Sequence, residues 1–191
     1  MAFGGGLDAT WAASGTIAGG FSAPVLVGTG DGSSYSRKDA PKIALDDAGQ
    51  ASLVWSVPNP SRTDAATRAP AGTWSSPTEL AGQISSPVAT AIDGAGNAIA
   101  VFGSSYAWHL AGGSWGPVMP LPSGSSGGLA VADPAGTFVY ADSGGNAFTF
   151  TAGATSFGTG SGSRGSLGDL KIVPGRAVML AASTVSTETV N

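Results

Sequence analysis

Three stretches of this chain repeat one pattern, and that repeat limits the possible folds more than any single residue does. Pro41-Lys-Ile-Ala-Leu-Asp46-Asp-Ala-Gly49 runs on through Gln50 to Trp55. Pro87-Val-Ala-Thr-Ala-Ile-Asp93-Gly-Ala-Gly96 runs on through Asn97 to Phe102. Leu129-Ala-Val-Ala-Asp133-Pro-Ala-Gly136 runs on through Thr137 to Tyr140. Each copy is an apolar run, an Asp-x-x-Gly turn and a second apolar run ending in an aromatic residue. A second pattern alternates with the first: Gly20-Phe21-Ser-Ala-Pro24, Gly72-Thr-Trp74-Ser-Ser-Pro77, Gly113-Ser-Trp115-Gly-Pro117 and a weaker Thr155-Ser-Phe157-Gly158. Short strand-like runs recurring about every forty residues are the mark of a repeat architecture.

The turn chemistry turns the repeat into strands. An Asp side chain accepts hydrogen bonds from turn amides, and Gly takes the positive φ that closes the turn. Residues 41–46 and 50–55 therefore read as paired strands A and B. Residues 65–68, 106–110 and 147–151 read as strand C. Residues 76–80 and 116–121 read as strand D, where a Pro suits an edge whose amide has no partner. Four-stranded units of this length, repeated, predict an all-β fold, a β-propeller, over a sandwich or a solenoid.

Counted along the chain, C and D (about residues 8–27) come first, three units follow, and A and B (169–173 and 176–182, around Pro174-Gly175) close it. The two half-units predict a four-bladed propeller of four-stranded antiparallel blades, in which the N- and C-terminal halves pair into one blade and remove an exposed edge. A larger ring built by two copies is the competing arrangement. The chain reads as a single domain over 1–191, with 1–7 as an N-terminal arm and 183–191 as a tail or extra strand.

Composition narrows the function. The 191 residues carry 8 basic and 12 acidic side chains, a net charge of −4, with no basic stripe for a phosphate backbone. No nucleic-acid partner is expected. There is no Cys, which rules out disulfides and thiolate metal sites. No apolar run reaches the roughly eighteen residues of a membrane-spanning helix, so no membrane insertion is expected. Met1-Ala-Phe-Gly-Gly-Gly has neither the basic nor the apolar region of a secretion signal, which leaves a removed leader, another export route or residence inside the cell all open.

The combination Pro-x-Val-Ala-x-Asp-x-x-Gly-x-Ala-x-x-Val-Trp followed by Gly-x-Trp-x-x-Pro resembles the repeats of secreted and surface bacterial propellers of the sialidase-like type, over most of residues 20–140. The resemblance implies a propeller outside a cell or on a particle such as a virion. Sialidases need an arginine cluster, a Tyr nucleophile and an acidic partner. Here Arg37, Arg62, Arg68, Arg164 and Arg176 occupy different repeat positions, and the sialidase Asp-box Ser-x-Asp-x-Gly-x-x-Trp is absent. No catalytic residue carries over.

The remaining motifs have plain structural readings. Asp46, Asp93 and Asp133 read as turn caps rather than a cation ring. Phe21, Trp74, Trp115 and Phe157 read as fillers of the wedge between sheets rather than sugar-stacking platforms. His109 is the only His. Alternation sets it on the opposite strand face from Tyr106 and Trp108, and no Gly-x-Ser-x-Gly elbow or His-Glu-x-x-His motif accompanies it. The Gly-rich runs 124–128 and 158–168 lack the Lys and helix of a phosphate loop.

One departure from the repeat points to a site. Pro24 to Asp46 spans 22 residues, whereas Pro77 to Asp93 and Pro117 to Asp133 each span 16. The D-to-A connection within 28–39 is enlarged, and the B-to-C connection 56–63 of the same blade also reads as long. In an up-and-down sheet these connections share one face. They gather Asp31, Tyr35, Arg37, Lys38, Arg62 and Asp64 in a chain otherwise poor in charge, and loops on a rigid scaffold commonly carry binding. The expectation is a non-enzymatic binding or structural module on a surface or virion-type assembly, without cofactor or metal, with a protein partner or surface glycan and a possible homo-oligomeric state. A lectin-like propeller is the alternative, and a degenerate glycosidase comes third.

Overall fold

The computed structural model describes residues 2–5, 9–16, 18–29, 40–58, 60–83, 85–122, 127–158, 161–162, 166–173 and 176–182. All regular elements among them are strands, paired antiparallel. In chain order these are β1 (Ala2–Gly5), β2 (Ala9–Ala12), β3 (Gly15–Thr16), β4 (Gly20–Phe21) and β5 (Val25–Thr29); β6 (Lys42–Leu45), β7 (Ala51–Val57), β8 (Arg62–Arg68) and β9 (Thr78–Ala81); β10 (Pro87–Ile92), β11 (Ala98–Phe102), β12 (Ser105–His109) and β13 (Met119–Pro120); β14 (Gly128–Ala132), β15 (Thr137–Asp142), β16 (Asn146–Thr151) and β17 (Ser161–Gly162); and β18 (Ser166–Val173) with β19 (Arg176–Ala182). Three sheets have four strands in simple sequence order, β6 to β9, β10 to β13 and β14 to β17; β1-β2-β5 forms a three-stranded sheet, β18-β19 a hairpin and β3-β4 a small ribbon.

The sheets pack side by side, with β6, β10, β14 and β18 as successive innermost strands. The second strand of each four-stranded sheet explains why. β7 and β11 are apolar runs rather than alternating ones, as suits strands buried on both faces. Their period-two geometry then sends alternate side chains to different wedges. Leu53, Trp55 and Val57 meet Ala12 and Val27 of the first sheet, while Val54 faces the other way to Ala100 and Phe102. Ile99 and Val101 in turn meet Phe138 and Tyr140, whose neighbours Val139 and Ala141 pack with Leu170 of β18. Small residues such as Ala51, Ala65, Ala66, Ala98, Ala100 and Ala107, all fully buried, let the inner strands approach.

The turns form as the repeat requires. Gly49, Gly96 and Gly136 have φ of 86°, 89° and 95°. Asp93 Oδ1 accepts from the amides of Ala95 and Asn97, each at 2.9 Å, and its Oδ2 accepts from the Asn97 side chain at 2.8 Å. Asp46 holds Gln50 in the same manner, and Asp133 Oδ1 accepts from the Ala135 amide. Asp142 does so again with Asn146, one connection later in its sheet, between the second and third strands.

The chain ends differ from the expected pair of half-blades. Within the N-terminal arm, residues 2–5 form a strand that pairs with β2 on the side away from β5, in the place strand B takes in the other sheets. β18 and β19 occupy the A and B places of the last unit. The two ends therefore supply five strands with B present twice, one more than a shared four-stranded blade holds. They lie in separate sheets, and the expected pairing of 8–27 with 169–182 is not among the described ladders. Residues 183–191 lie outside the described residues.

The B-to-C connection of the second sheet is shorter than the sequence suggests. β7 and β8 stay in register from Ala51↔Arg68 to Val57↔Arg62, so Ser56, Val57, Arg62 and Thr63, read as loop, are strand. Ser56 and Thr63 face each other in that ladder, and both side chains bond to the backbone carbonyl of Ser85. Those bonds satisfy polar groups that otherwise mark a loop.

Candidate functional site

Of the six residues singled out in the sequence, Asp31, Tyr35, Arg37 and Lys38 lie outside the described residues. Arg62 and Asp64 are neighbours on β8. Arg62 Nε donates to both carboxylate oxygens of Asp64 at 2.9 Å. Asp64 is only 2% exposed. Burial raises its pKa, with the Arg62 hydrogen bond and charge opposing the rise and Glu79 adding to it. The carboxylate is thus turned inward, and the pair locks the strand end. Arg62 Nη2 also reaches the carbonyl of Thr29 at 3.5 Å, so the end of β5 lies beside the start of β8. This joins the two connections that the sequence placed on one face.

Two clefts open at the opposite ends of the strands, beside the Asp-x-x-Gly turns. The first, about 620 Å³, lies between the first and second sheets. Phe21, Val25, Leu26, Ile43 and Leu45 line it and are all exposed. The cause is a missing neighbour. β10 and β14 are each covered by the innermost strand of the sheet before, whereas among the described residues the first sheet has no strand in that place to cover β6.

The second cleft, about 480 Å³, lies between the second and third sheets. Arg68, His109, Trp115, Gln50, Ser75 and Ser76 line it. Here a repeat position becomes visible that the motif reading missed. Arg68 bridges to Trp74 and His109 bridges to Trp115 as isolated antiparallel pairs, as Gly15 pairs with Phe21 in the first sheet. The Arg68 guanidinium carbon lies 5.8 Å from the Trp74 ring centroid. Gly15, Arg68 and His109 each stand six positions before their aromatic, and Phe150 seven before Phe157, a spacing present in the sequence but masked by the different residue types.

The aromatics act as wedge fillers. Trp74, Trp115 and Phe157 pack on the clusters between first and second, second and third, and third and fourth sheets. Each therefore fills the wedge with the sheet preceding its own. Phe21 has no preceding sheet among the described residues and is 63% exposed. Tyr106 and Trp108 enter the third-to-fourth wedge, and His109 faces the other side, as alternation requires. Desolvation lowers the His109 pKa, while the backbone of Gly96 and Gly113 favours the proton without giving Nδ1 a hydrogen bond. Among the described residues, no group of three or more His, Asp or Glu side chains converges on a point that could hold a metal ion.

No protein-family model and no curated protein matches this chain. Among solved structures, it is similar to the β-propeller protein in "YCF48 bound to D1 peptide", with a TM-score of 0.51 and 12% identity over 73% of this chain and 47% of that one. The chain thus spans less than half the length of that protein. Together with the radial stack of antiparallel sheets, this likeness establishes a β-propeller repeat fold.

Proposed function

We propose that this chain is a non-catalytic propeller module that binds a protein segment in the cleft between its first two sheets, as part of a surface or virion-type assembly. One observation carries the reading. Five large apolar side chains, Phe21, Val25, Leu26, Ile43 and Leu45, are exposed together in one concave site. Scattered exposed apolar residues are ordinary on a protein surface, but a contiguous concave set marks an interaction site. The similar propeller carries a peptide by its own description, which agrees with this reading.

The non-catalytic part rests on the lone histidine. His109 sits against Trp115 at 5.4 Å between ring centroids, with its pKa lowered by desolvation. Among the described residues, no carboxylate lines its cleft to orient it as a base. Among the described residues the second strand place is filled at both ends, which favours five blade positions over the expected four.

A peptide array of random dodecapeptides, probed with the wild type and with Leu45→Asp and Phe21→Ser variants, tests the proposal. Binding to apolar sequences is expected for the wild type and is lost in both variants at an unchanged melting temperature. Binding that both variants retain places the partner elsewhere, residues 30–39 with Tyr35 and Arg37 included. A glycan array run in parallel is expected to be silent; specific, sugar-competed binding replaces this reading with the lectin.

A further inference from the structure

The cleft between the second and third sheets differs from its neighbour in chemistry, although it occupies the equivalent wedge. Among the described residues that line it are Arg68 and His109 and no Asp or Glu, in a chain whose net charge is −4. Arg68 takes no part in either ion pair among the described residues, Arg62–Asp64 and Lys171–Asp169. Its guanidinium is held in place. Nη2 donates to the carbonyl of Gly49 at 3.0 Å, and the group lies over Trp74. Its Nε is buried without a hydrogen-bond acceptor. A cation fixed by its neighbours and left without a counter-charge is organised in advance for an anion, and a planar guanidinium matches a carboxylate best. The hydroxyls of Ser75, Ser76 and Ser114 and the Trp115 ring complete a mixed polar and aromatic wall.

Arg68 also lines the apolar cleft, so the two sites share a wall at this residue. We propose that the wall shared by the two clefts is a carboxylate subsite, in which Arg68 receives an acidic side chain of the same extended segment whose apolar residues fill the first cleft. This rests on the protein-binding reading above and adds a chemical requirement to it: the partner carries Asp or Glu close to its apolar anchors. The charge comes from Arg68, and His109 with Trp115 shapes the far wall.

The test uses fluorescein-labelled, end-blocked peptides read by polarisation. One set is Leu-Val-Leu followed by one, two or three Ser residues and then Asp; a second set ends in Asn; a third replaces the Leu-Val-Leu part with Gly-Ser-Gly. The Asp peptide with the best spacer is expected to bind about tenfold more tightly than its Asn counterpart, the scale of one well-placed charge pair. Arg68→Gln is expected to erase that difference between the Asp and Asn peptides. Arg68→Lys, which keeps the charge and guards against a folding defect, is expected to retain part of it. Equal affinity for Asp and Asn peptides in the wild type, or a preference that survives Arg68→Gln, overturns the subsite while leaving the apolar cleft standing. Asp peptides that bind equally well on the Gly-Ser-Gly carrier overturn the apolar anchor while leaving the subsite standing. No binding by any set overturns both.

Discussion

His109 and Trp115 face each other across the third sheet, with ring centroids 5.4 Å apart and planes inclined at 57°. The same two places hold Arg68 over Trp74 in the second sheet and Phe150 against Phe157 in the fourth, the last pair 4.5 Å apart and edge to face. One conserved geometry thus carries a cation, an imidazole and a benzene ring in turn. The aromatic partner secures the wedge, and its cross-strand neighbour sets the chemistry of the cleft.

This division predicts unequal costs for removing the aromatics. Trp115→Ala is expected to destabilise by about 2–4 kcal/mol, because the indole is packed on Val54, Leu80 and Phe102 and leaves a cavity behind. Phe21→Ala, at the same repeat position but largely exposed, is expected to change stability by less than about 0.5 kcal/mol. Urea unfolding of both variants measures the contrast. Equal costs would show that Phe21 is covered by something in solution.

The turn caps give a second prediction. Asp93→Ala removes the acceptor of three hydrogen bonds in a turn whose carboxylate is 1% exposed. It is expected to cost about 1–3 kcal/mol, since three donors of the turn lose their partner. Gly96→Ala is expected to cost more than a surface glycine change does. Its φ is +89°, and a Cβ there meets Gln50 Oε1 of the neighbouring sheet. Thermal melts of both variants test this, and Gln50→Ala combined with Gly96→Ala separates the clash from the backbone strain.

Stability should also depend on pH through two groups acting in opposite senses. Desolvation lowers the His109 pKa below its ordinary value of 6.5, so the unfolded chain takes up that proton first. Stability therefore falls as pH drops below 6.5 and stops falling once the folded ring is protonated. Asp64, raised above 3.8 by burial, binds its proton first in the folded state. It restores some stability as pH falls through its raised pKa towards 3.8. His109→Phe, which places at this position the residue found there in the fourth sheet, is expected to flatten the upper part of the profile and leave the lower part. Denaturant midpoints followed across this range check both signs. A profile unchanged by His109→Phe would remove the ring from the account.

The fold was readable because its determinants are local. An Asp carboxylate, a Gly at positive φ and flanking apolar runs are all within a few residues of one another, and they fix each hairpin without reference to the rest of the chain. The sidedness of Tyr106, Trp108 and His109 followed from alternation for the same reason. What depends on neighbouring sheets was not readable. The apolar cleft exists because no innermost strand among the described residues covers Ile43 and Leu45, and Leu45 is written in the same pattern as the covered Ile92. The equivalence of Arg68 and His109 was hidden because different residue types share a geometric position. Asp64 read as a loop charge, since a buried ion pair and a solvated one look alike in a sequence. The strand role of residues 2–5 was missed because Ala-Phe-Gly-Gly has little of the β-branched character that marks a strand.

The sharpest test of the open cleft compares two residues at one repeat position. Leu45 and Ile92 each immediately precede the Asp of an Asp-x-x-Gly turn on an innermost strand, yet Leu45 is 65% exposed and Ile92 only 7%. β10 packs against β6, so the sheet before it covers Ile92; among the described residues β6 has no such cover. Ile92→Ala is expected to cost about 2–3 kcal/mol, the range for truncating a buried aliphatic side chain. Leu45→Ala is expected to leave the melting transition within about 0.5 kcal/mol of the wild type, as a surface change does. Binding should show the opposite order. Leu45→Ala should weaken the apolar peptide contact, because that side chain contributes its surface to the cleft rather than to the core. Ile92→Ala should leave that contact intact at temperatures where the fold survives. If Leu45→Ala destabilises the isolated chain as much as Ile92→Ala does, then β6 is already covered in solution, and the cleft is filled by part of the assembly itself.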